Sequence, residues 1–323
     1  MKTTVIIPNY NGKKYLQDCL TFLGRNKGCS FETLVVDDAS TDDSCRMVRE
    51  YFPGVRLIEL KENGGFAHAV NVGIRAAGTE YVLLLNNDTV PEPDFVAQLE
   101  KMLSKNERFF SASAKMLSMH DPEIIDDCGD LYTALGWARA IGKGESSRRF
   151  TAEAMIFSAC GGAAIYRRKP LMEMGLFDEL HFAYLEDVDV GYRAQLYGWR
   201  NVYCPGAVVY HAGSATSGSR YNAFKARLTA QNSIYLAVKN MPPLQFLLNL
   251  PLLVLGFFIK TLFYTWKGLG GDFVAGFWKG VALSHSPQGR KRRIRLGIRG
   301  FFTYVRIQLL LWRNMLALFT KMG

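Results

Sequence analysis

The feature that most constrains the fold is a regular alternation of short β-branched runs with amphipathic stretches up to about residue 117. This alternation is typical of a mostly parallel sheet flanked by helices, because a crossover between parallel strands is long enough to hold a helix. The sequence therefore predicts an α/β fold. The predicted strands cover residues 4–8, 31–36, 55–60, 81–85 and 109–116.

The part of the chain that follows is less regular. Residues 118–155 are polar and weakly periodic, so we expect an irregular excursion over the functional face of the sheet. A strand at 163–166, a strand ending at His211 and a helix at 221–238 complete the pattern. We therefore predict one globular domain at residues 1–240.

Positive charge is concentrated at the C-terminal end. Of the 39 Lys and Arg residues, twelve lie in residues 241–323 with one of the 29 acidic residues, which leaves 27 basic and 28 acidic residues before them. The same tail contains two apolar stretches, 244–266 and 301–319. A nearly neutral domain with a basic, apolar tail is typical of attachment to an anionic membrane surface, and not of nucleic-acid binding.

The first apolar stretch, 244–266, is long enough to span a bilayer. Polar residues and a proline interrupt it, which favours a hairpin or an interfacial helix, while a buried core helix is a further alternative. The start of the chain lacks the apolar region and cleavage site of an export signal. We therefore expect residues 241–323 to form a helical region on the cytoplasmic face of the membrane, peripheral or re-entrant.

Polar residues follow three of the predicted strands. They are Pro8-Asn9-Tyr10-Asn11, Asp37-Asp38 and Asn86-Asn87-Asp88. The carboxyl ends of parallel strands meet at one edge of the sheet, where open α/β sheets bind ligands. The G-x-G-x-x-G and G-x-x-x-x-G-K-[ST] patterns are absent from these positions, which argues against a dinucleotide-binding fold and a P-loop.

Seven motifs between residues 5 and 216 resemble those of the GT-A family 2 glycosyltransferases, and more narrowly the rhamnosyltransferase-like branch acting on lipid-linked glycans. They are PNYNG (8–12), VVDDASTDDS (35–44), NGGFAHAVNVGI (63–74), LLLNNDT (83–89), GGAAIYRR (161–168), YLEDVDVGYR (184–193) and VVYHAGSAT (208–216). The resemblance implies a GT-A fold and an inverting, metal-dependent transfer of a sugar, with rhamnose favoured. The implied donor is dTDP-rhamnose or a UDP-sugar, and the implied acceptor is a hydroxyl of a lipid-linked or cell-surface glycan.

On the donor side, the resemblance assigns Asp38 to the nucleotide base. Asp37 is expected to organise the turn, although both carboxylates could instead cap the helix that follows. The full set of residues that the resemblance places around the donor is Pro8, Tyr10, Asn11, Asp38, Asn63, Gly65, Asn71, Asn87 and Asp88.

On the catalytic side, the family's D-x-D motif retains one carboxylate here, Asp88. The resemblance makes Asp88 a ligand of Mg²⁺ or Mn²⁺ and His211 a second metal ligand. It also implies that Asp187 is the general base, with Glu186 as second choice, because a carboxylate can remove the proton of an attacking hydroxyl. Nearby, the i, i+4 spacing of Asp189 and Arg193 favours a simple ion pair.

Two other functions remain open. A polyprenyl-phosphate glycosyltransferase needs no general base, because a phosphate oxygen attacks, and the Glu186-Asp187 pair argues against it. A catalytically dead membrane scaffold would keep the fold without the activity. The presence of Asp38, Asp88 and His211 together with Asp187 argues against the scaffold.

Overall fold

The computed structural model describes residues 1–213, 221–295 and 300–318, so positions 214–216 of the last motif and Phe319 lie outside it. The strands are β1 Thr3–Asn9, β2 Phe31–Asp37, β3 Arg56–Glu59, β4 Tyr81–Leu85, β5 Thr89–Pro91, β6 Phe109–Ser118, β7 Ile125–Asp127, β8 Asp130–Tyr132, β9 Ala138–Ala140, β10 Ala154–Ile156, β11 Ala163–Arg167 and β12 Arg200–His211. The helices are α1 Lys13–Leu23, α2 Ser44–Tyr51, α3 Phe66–Ala76, α4 Phe95–Ser104, α5 Arg168–Glu173, α6 Glu186–Leu196, α7 Ala223–Asn240, α8 Pro243–Trp266, α9 Gly270–His285, α10 Pro287–Lys291 and α11 Phe301–Leu316, with a 3₁₀ turn at Glu179–His181.

Within the described residues, ten strands form one mixed sheet. Its main path is β10-β12-β6-β11-β4-β1-β2-β3, with β5 paired to β12 and β7 to β6. Strands β4, β1, β2 and β3 are parallel, β11 is antiparallel to both β4 and β6, and β12 is parallel to β6. The carboxyl ends of β1, β2, β4, β6 and β12 therefore lie at one edge of the sheet, which we call the carboxyl edge. The predicted α/β architecture is confirmed.

Side chains alternate between two apolar layers, one on each face of the sheet. In β1, Val5 and Ile7 belong to one layer and Ile6 to the other, and all three are fully buried. Helices α1, α2 and α4 pack into the first layer, whereas α3 and α6 contribute to the second. This period of two follows from the pleat of a strand that is covered on both faces.

Residues 118–155 are more regular than expected. They contain β7, β8 and β9, and β10 begins at Ala154. Strand β7 pairs with β6, and β10 pairs with β12, so this segment extends the main sheet at two places. The expectation of an irregular excursion was wrong, because strands of three residues are too short to show a periodic pattern in the sequence.

The first apolar stretch of the tail forms the single continuous helix α8, which includes Pro251. Of the alternatives, the hairpin is therefore wrong. Two of the polar residues that interrupt the stretch, Gln245 and Asn249, are buried and hydrogen bond to Gln308 of α11 at 3.0 and 2.7 Å. By length and composition α8 could cross a membrane, and 11% of its apolar window is buried, which argues against a core helix.

Helix α9, which the sequence pattern did not predict, packs closely on α7. A Cβ atom on Gly276 would lie 2.3 Å from the carbonyl oxygen of Arg227, and one on Gly280 would lie 2.5 Å from that of Gln231. The two glycines therefore let the helix backbones approach to a distance that no side chain allows.

We expect Gly276→Ala to lower the free energy of unfolding by about 1–3 kcal/mol, because the added methyl group overpacks the α7–α9 contact. Gly271→Ala is the matched control in the same helix, since a Cβ there meets no atom within 4 Å. It should leave stability unchanged or raise it, because alanine favours helix over glycine. Denaturant unfolding midpoints measure both effects, and equal midpoints for the two variants would contradict this account of the packing.

Candidate active site

Asn9 joins three strand ends at the carboxyl edge. Its Nδ2 donates to Asp37 Oδ2 at 2.8 Å, and its Oδ1 accepts from Asn87 Nδ2 at 2.7 Å. All three side chains are buried. The close approach requires Gly12, because a Cβ there would lie 2.1 Å from Asn87 Nδ2. Asn9 was not among the predicted site residues, although it stands within the PNYNG motif.

Asp38 holds the loop that precedes α3. Its Oδ1 and Oδ2 accept from the backbone N–H groups of Gly64 and Gly65, each at 2.9 Å. Gly65 has a φ of 81°, and Asn63 Oδ1 also accepts from its N–H at 3.1 Å. Burial raises the pKa of Asp38, and the two backbone bonds partly offset this effect. The chain thus brings together Asp38, Asn63 and Gly65, three of the residues predicted to bind the donor.

The alternative that Asp37 and Asp38 cap the next helix is wrong. Helix α2 begins at Ser44 with Asp43 as its N-cap residue, whereas Asp37 Oδ1 accepts from the N–H of Ser40 at 2.8 Å within the turn and Asp38 accepts from Gly64 and Gly65. Asp37 therefore organises this turn, as expected.

The loop after β1 is fixed by Asn11. Its Oδ1 accepts from the N–H of Thr41 at 2.8 Å, and its own N–H donates to Ser40 Oγ at 2.8 Å. Tyr10 on this loop is 39% exposed, and Pro8 is half-buried in β1. The Tyr10 ring is thus accessible to a ligand at the carboxyl edge, whereas Asn11 shapes the loop.

Asn71 has a different environment from the one expected. Its Nδ2 donates to the carbonyl of Phe177 and to Glu179 Oε1, both at 2.8 Å, while its Oδ1 accepts from the N–H of Phe177 at 3.0 Å. The side chain is buried and its two amide hydrogens are both used within the protein. Asn71 therefore clamps α3 to the segment at 177–179, and we remove it from the donor-binding set.

Three residues from distant parts of the chain form a cluster at the end of β12. His211 Nε2 lies 3.3 Å from Asp88 Oδ1, and His211 Nδ1 lies 2.7 Å from Asp126 Oδ2 on β7. Burial lowers the pKa of His211, but the hydrogen bonds with Asp126 and Asp88 outweigh it and raise the pKa to about 9. Asp126 was missed because it belongs to the segment predicted to be irregular.

The donor atoms of this cluster fit a divalent ion. Carboxylate oxygens and one imidazole nitrogen suit Mg²⁺ or Mn²⁺. The Asp126 bond to Nδ1 leaves Nε2 directed at Asp88, which is how an outer carboxylate commonly orients a histidine ligand. Asp88 and His211 would hold the ion, and Asp126 would orient His211.

The predicted general base lies at the start of α6. Asp187 is half-buried, its Oδ2 accepts from the N–H of Gly161 at 3.0 Å, and its Oδ1 accepts from the N–H of Val188 at 2.7 Å. Burial raises its pKa, which strengthens it as a proton acceptor. Glu186 is buried, and its Oε2 has no hydrogen-bond partner in the described structure. Of the two, Asp187 is the more accessible to a substrate.

Two further acids, Asp127 and Asp130, interact electrostatically with Asp187. Burial and then the charges of Asp126 and Asp187 raise the pKa of Asp127 to about 7. Burial and then the charges of Asp127 and Asp187 raise the pKa of Asp130 well above its usual range. Segment 118–155 thus adds two carboxyl groups with raised pKa values beside the predicted base, and the sequence pattern did not indicate them.

A buried ionic network supports this region from α7. Lys239 Nζ lies 2.7 Å from Asp178 Oδ2 and 2.8 Å from Asp189 Oδ2, and Arg193 pairs with Asp189 at 2.8 Å. The expected ion pair of Asp189 and Arg193 is confirmed. With His181, the two acids also form a group compact enough for a metal. Because both carboxylates are already neutralised by buried cations, we assign this group to the core.

Asn232 of α7 holds the segment that leads into α6. Its Nδ2 donates to the carbonyl oxygens of His181, Ala183 and Tyr184 at 3.0, 2.9 and 2.8 Å. Next in the chain, Leu185 takes a φ of 67° before the helix begins. The position of the predicted base therefore depends on α7.

Comparison with known proteins gives the family. The model of glycosyl transferase family 2 matches residues 4–175, more than half of the 323 residues. The chain belongs to glycosyl transferase family 2. The predicted enzyme class, a glycosyltransferase, is thereby confirmed.

This glycosyltransferase is similar to two relatives of known activity and to one solved structure, among others. The N-acetylglucosaminyl-diphospho-decaprenol L-rhamnosyltransferase of Mycobacterium tuberculosis is 26% identical over 242 residues, which are 66% of this chain and 77% of that protein. The teichoic acid poly(glycerol phosphate) polymerase of Staphylococcus epidermidis is 33% identical over 91 residues, 27% of this chain and 13% of the polymerase. The mannosyltransferase PcManGT of Pyrobaculum calidifontis was solved with GDP-Man and Mn²⁺. Its superposition on this chain has a TM-score of 0.56 at 19% identity and covers 100% of this chain and 88% of PcManGT. The structural likeness supports the fold.

We expect Asp126→Asn to weaken Mn²⁺ binding by roughly 10–100-fold, the usual range for losing a carboxylate that orients a histidine ligand. Asp121→Asn is the control, because Asp121 is an exposed acid in the same segment. The free Mn²⁺ signal in electron paramagnetic resonance measures affinity without turnover. Parental affinity in Asp126→Asn would show that His211 is not a ligand or needs no orientation.

Proposed function

We propose that this chain is an inverting, metal-dependent glycosyltransferase that moves a sugar, with rhamnose favoured, from a nucleoside-diphosphate donor to a hydroxyl of a lipid-linked or cell-surface glycan. The observation that carries the proposal is that Asp38, the Asp88–His211 pair and Asp187 all lie at the carboxyl edge. The name of the mycobacterial relative supports a rhamnose donor and a diphospho-lipid acceptor.

The donor would lie between the Asp38 loop and the Asp88–His211 pair. Asp38 fixes the backbone of Gly64 and Gly65 and keeps oxygen lone pairs for an N–H group of the base. Bound between Asp88 and His211, Mg²⁺ or Mn²⁺ would supply charge neutralisation to the diphosphate leaving group. Tyr10 and Asn87 would complete the donor side.

Asp187 would accept the proton of the acceptor hydroxyl. The hydroxyl oxygen bonds to the anomeric carbon on the face opposite the diphosphate, the carbon–oxygen bond to the diphosphate breaks, and the configuration inverts. The Gly161 bond orients Asp187, and a Cβ on Gly161 would already contact both the Phe66 ring and Asp187 at 3.4–3.5 Å. Glycine at this position therefore leaves room beside the base.

A screen of nucleotide sugars with Mn²⁺, read as an increase in melting temperature, identifies the donor, because a ligand that binds the native state stabilises it. The expected result is the largest increase with dTDP-rhamnose, with UDP-sugars next. An absence of stabilisation by every nucleotide sugar would favour the dead-scaffold alternative. Transfer to a polyprenyl phosphate, and to no hydroxyl acceptor, would favour the other alternative.

We expect Asp187→Asn to lower kcat by roughly a hundredfold or more, the scale of losing a general base, with donor affinity retained. Glu186→Gln should have a smaller effect, because Glu186 is buried and Asp187 is the more accessible acid. Single-turnover rates with saturating donor measure the chemical step for both variants. A larger loss in Glu186→Gln would assign the base to Glu186.

We also propose attachment to the cytoplasmic face of the membrane through the tail. Helix α8 exposes large apolar residues on one face, among them Leu247 at 63%, Val254 at 61% and Phe258 at 57%. Their i, i+7, i+11 spacing aligns them along the helix. Surface this apolar is costly in water and typical of contact with a membrane.

The tail is tied to the domain by buried polar contacts, such as Asn314 Nδ2 to the carbonyl of Tyr132 at 2.9 Å, so surface variants test attachment better than truncation. We expect Leu247→Glu with Phe258→Glu to leave the vesicle fraction in flotation. Transfer to a lipid-linked acceptor should fall sharply and transfer to a soluble analogue much less. Tyr51→Glu with Met172→Glu, two exposed apolar residues elsewhere on the surface, is the control. Continued flotation of the α8 variant would refute this attachment surface.

A further inference from the structure

A cavity of about 310 Å³ lies between α11, β10 and the start of β12. Three arginines line it, Arg200 from β12 and Arg306 and Arg313 from α11, beside apolar walls that include Phe157 and Leu309. The cavity is large enough for a small polar headgroup.

The three guanidinium groups give the cavity uncompensated positive charge. In the described part of the chain, no carboxylate forms an ion pair with any of them. Arg306 donates to the side-chain and backbone oxygens of Gln195 at 3.4 and 3.0 Å. Nη1 of Arg200 is buried and has no hydrogen-bond partner there. An unpaired buried donor of this kind is costly, and an oxyanion would satisfy it.

The cavity is remote from the site at the carboxyl edge. Arg200 begins β12 and His211 ends it, and their partners on β6 are Phe109 and Ser118, so nine residues of β6, roughly 30 Å at about 3.3 Å per residue, separate them. The arginines therefore do not belong to the proposed donor or metal site, and their positive charge is available to another ligand.

An exposed apolar stripe runs along α11 beside the two arginines of this helix. Its residues, all at least 40% exposed, are Phe302, Val305, Leu309, Trp312 and Leu316. Their i, i+3, i+7, i+10, i+14 spacing places them on one helix face. Arg306 and Arg313 flank this face, as cations do where an apolar surface enters a bilayer and meets its headgroups.

We propose that this cavity binds the phosphate group of an anionic membrane lipid, with its acyl chains along the apolar stripe of α11. The three arginines supply charge-assisted donors for the phosphate oxygens, for which a guanidinium fork is well suited. Soluble phosphate could make the same hydrogen bonds. The adjacent apolar stripe favours a lipid, because only a lipid would also contact that surface. The choice of a membrane source rests on the proposed attachment, whereas the phosphate site itself does not depend on the glycosyltransferase reaction.

The test compares the double variant Arg200→Gln/Arg313→Gln with the control Arg290→Gln/Lys291→Gln, an exposed pair whose replacement removes the same net charge from the protein. Full-length protein is titrated with vesicles of phosphatidylcholine containing phosphatidic acid, and with phosphatidylcholine alone. The cavity variant should bind the anionic vesicles at least roughly tenfold more weakly than the control variant, because a charge-assisted hydrogen bond contributes about that factor. Equal losses would reduce the effect to general surface charge and overturn the site.

Soluble competitors separate the two sources of phosphate. Short-chain phosphatidic acid should displace the protein from vesicles, whereas inorganic phosphate at the same concentration should not. Displacement by both to the same extent would overturn the lipid as ligand. Arg313→Gln alone keeps the test valid if the double variant fails to fold, since Arg313 is exposed, and its loss should exceed that of Arg290→Gln. The cavity variant should show the same increase in melting temperature with nucleotide sugar as the wild type. If nucleotide sugars did not stabilise the wild type, the proposed glycosyl transfer would be contradicted, and the phosphate site would not.

Discussion

The hydrogen bonds of the Asn9 side chain with Asp37 and Asn87 fix the geometry on which the rest of the site depends. They join the ends of β1, β2 and β4. Because Asp38 and Asp88 directly follow the joined residues Asp37 and Asn87, their positions are fixed relative to each other. The amide is suited to this because it donates to a carboxylate and accepts from a second amide at once. Once these ends are joined, the remaining partners, His211 and Asp187, need only reach the same edge from the other half of the sheet.

That second half reaches the edge through β11 and β12. The Gly161-Gly162 pair precedes β11 and links the two sides of the site, since Gly161 donates to Asp187 and the carbonyl of Gly162 accepts from the N–H of Asn86 at 2.8 Å. Because a side chain at Gly162 would lie 3.1 Å from the Asn86 amide, these glycines set the spacing between the two motifs.

The sheet and most motif residues were predictable because they depend on local pattern. Strand β1 is a continuous apolar run, and the apolar residues of helix α1 recur at helical spacing, so the sequence displays both directly. Polar residues at strand ends converge in any parallel sheet. Asp126 and Asp127 were not predictable in this way, since β7 is three residues long and its pairing with β6 is a tertiary event. Asn71 was assigned to donor binding for the opposite reason, because it lies in a clear motif. A motif position does not reveal whether the amide faces a ligand or the carbonyl of Phe177.

The polar residues of α8 were interpreted as interruptions of an apolar segment, because their hydrogen-bond partner is also distant in the sequence. Gln245 and Asn249 looked like breaks in a span, but their partner Gln308 lies about sixty residues further along the chain. A buried amide is unfavourable alone and favourable with its partner, so its meaning depends on the contact and not on the composition of the stretch.

The hydrogen bonds of Asn232 with the carbonyl groups that precede α6 have a consequence for recombining this chain with its relatives. An acceptor half grafted with a crossover between β12 and α7 would separate the base-bearing segment from the helix that shapes it, and the same cut would divide Lys239 from Asp178 and Asp189. The exchangeable module is therefore not the run of motifs that ends near residue 216. It extends at least through α7 to Asn240, and a hybrid enzyme keeps the position of Asp187 only if that helix comes from the same parent.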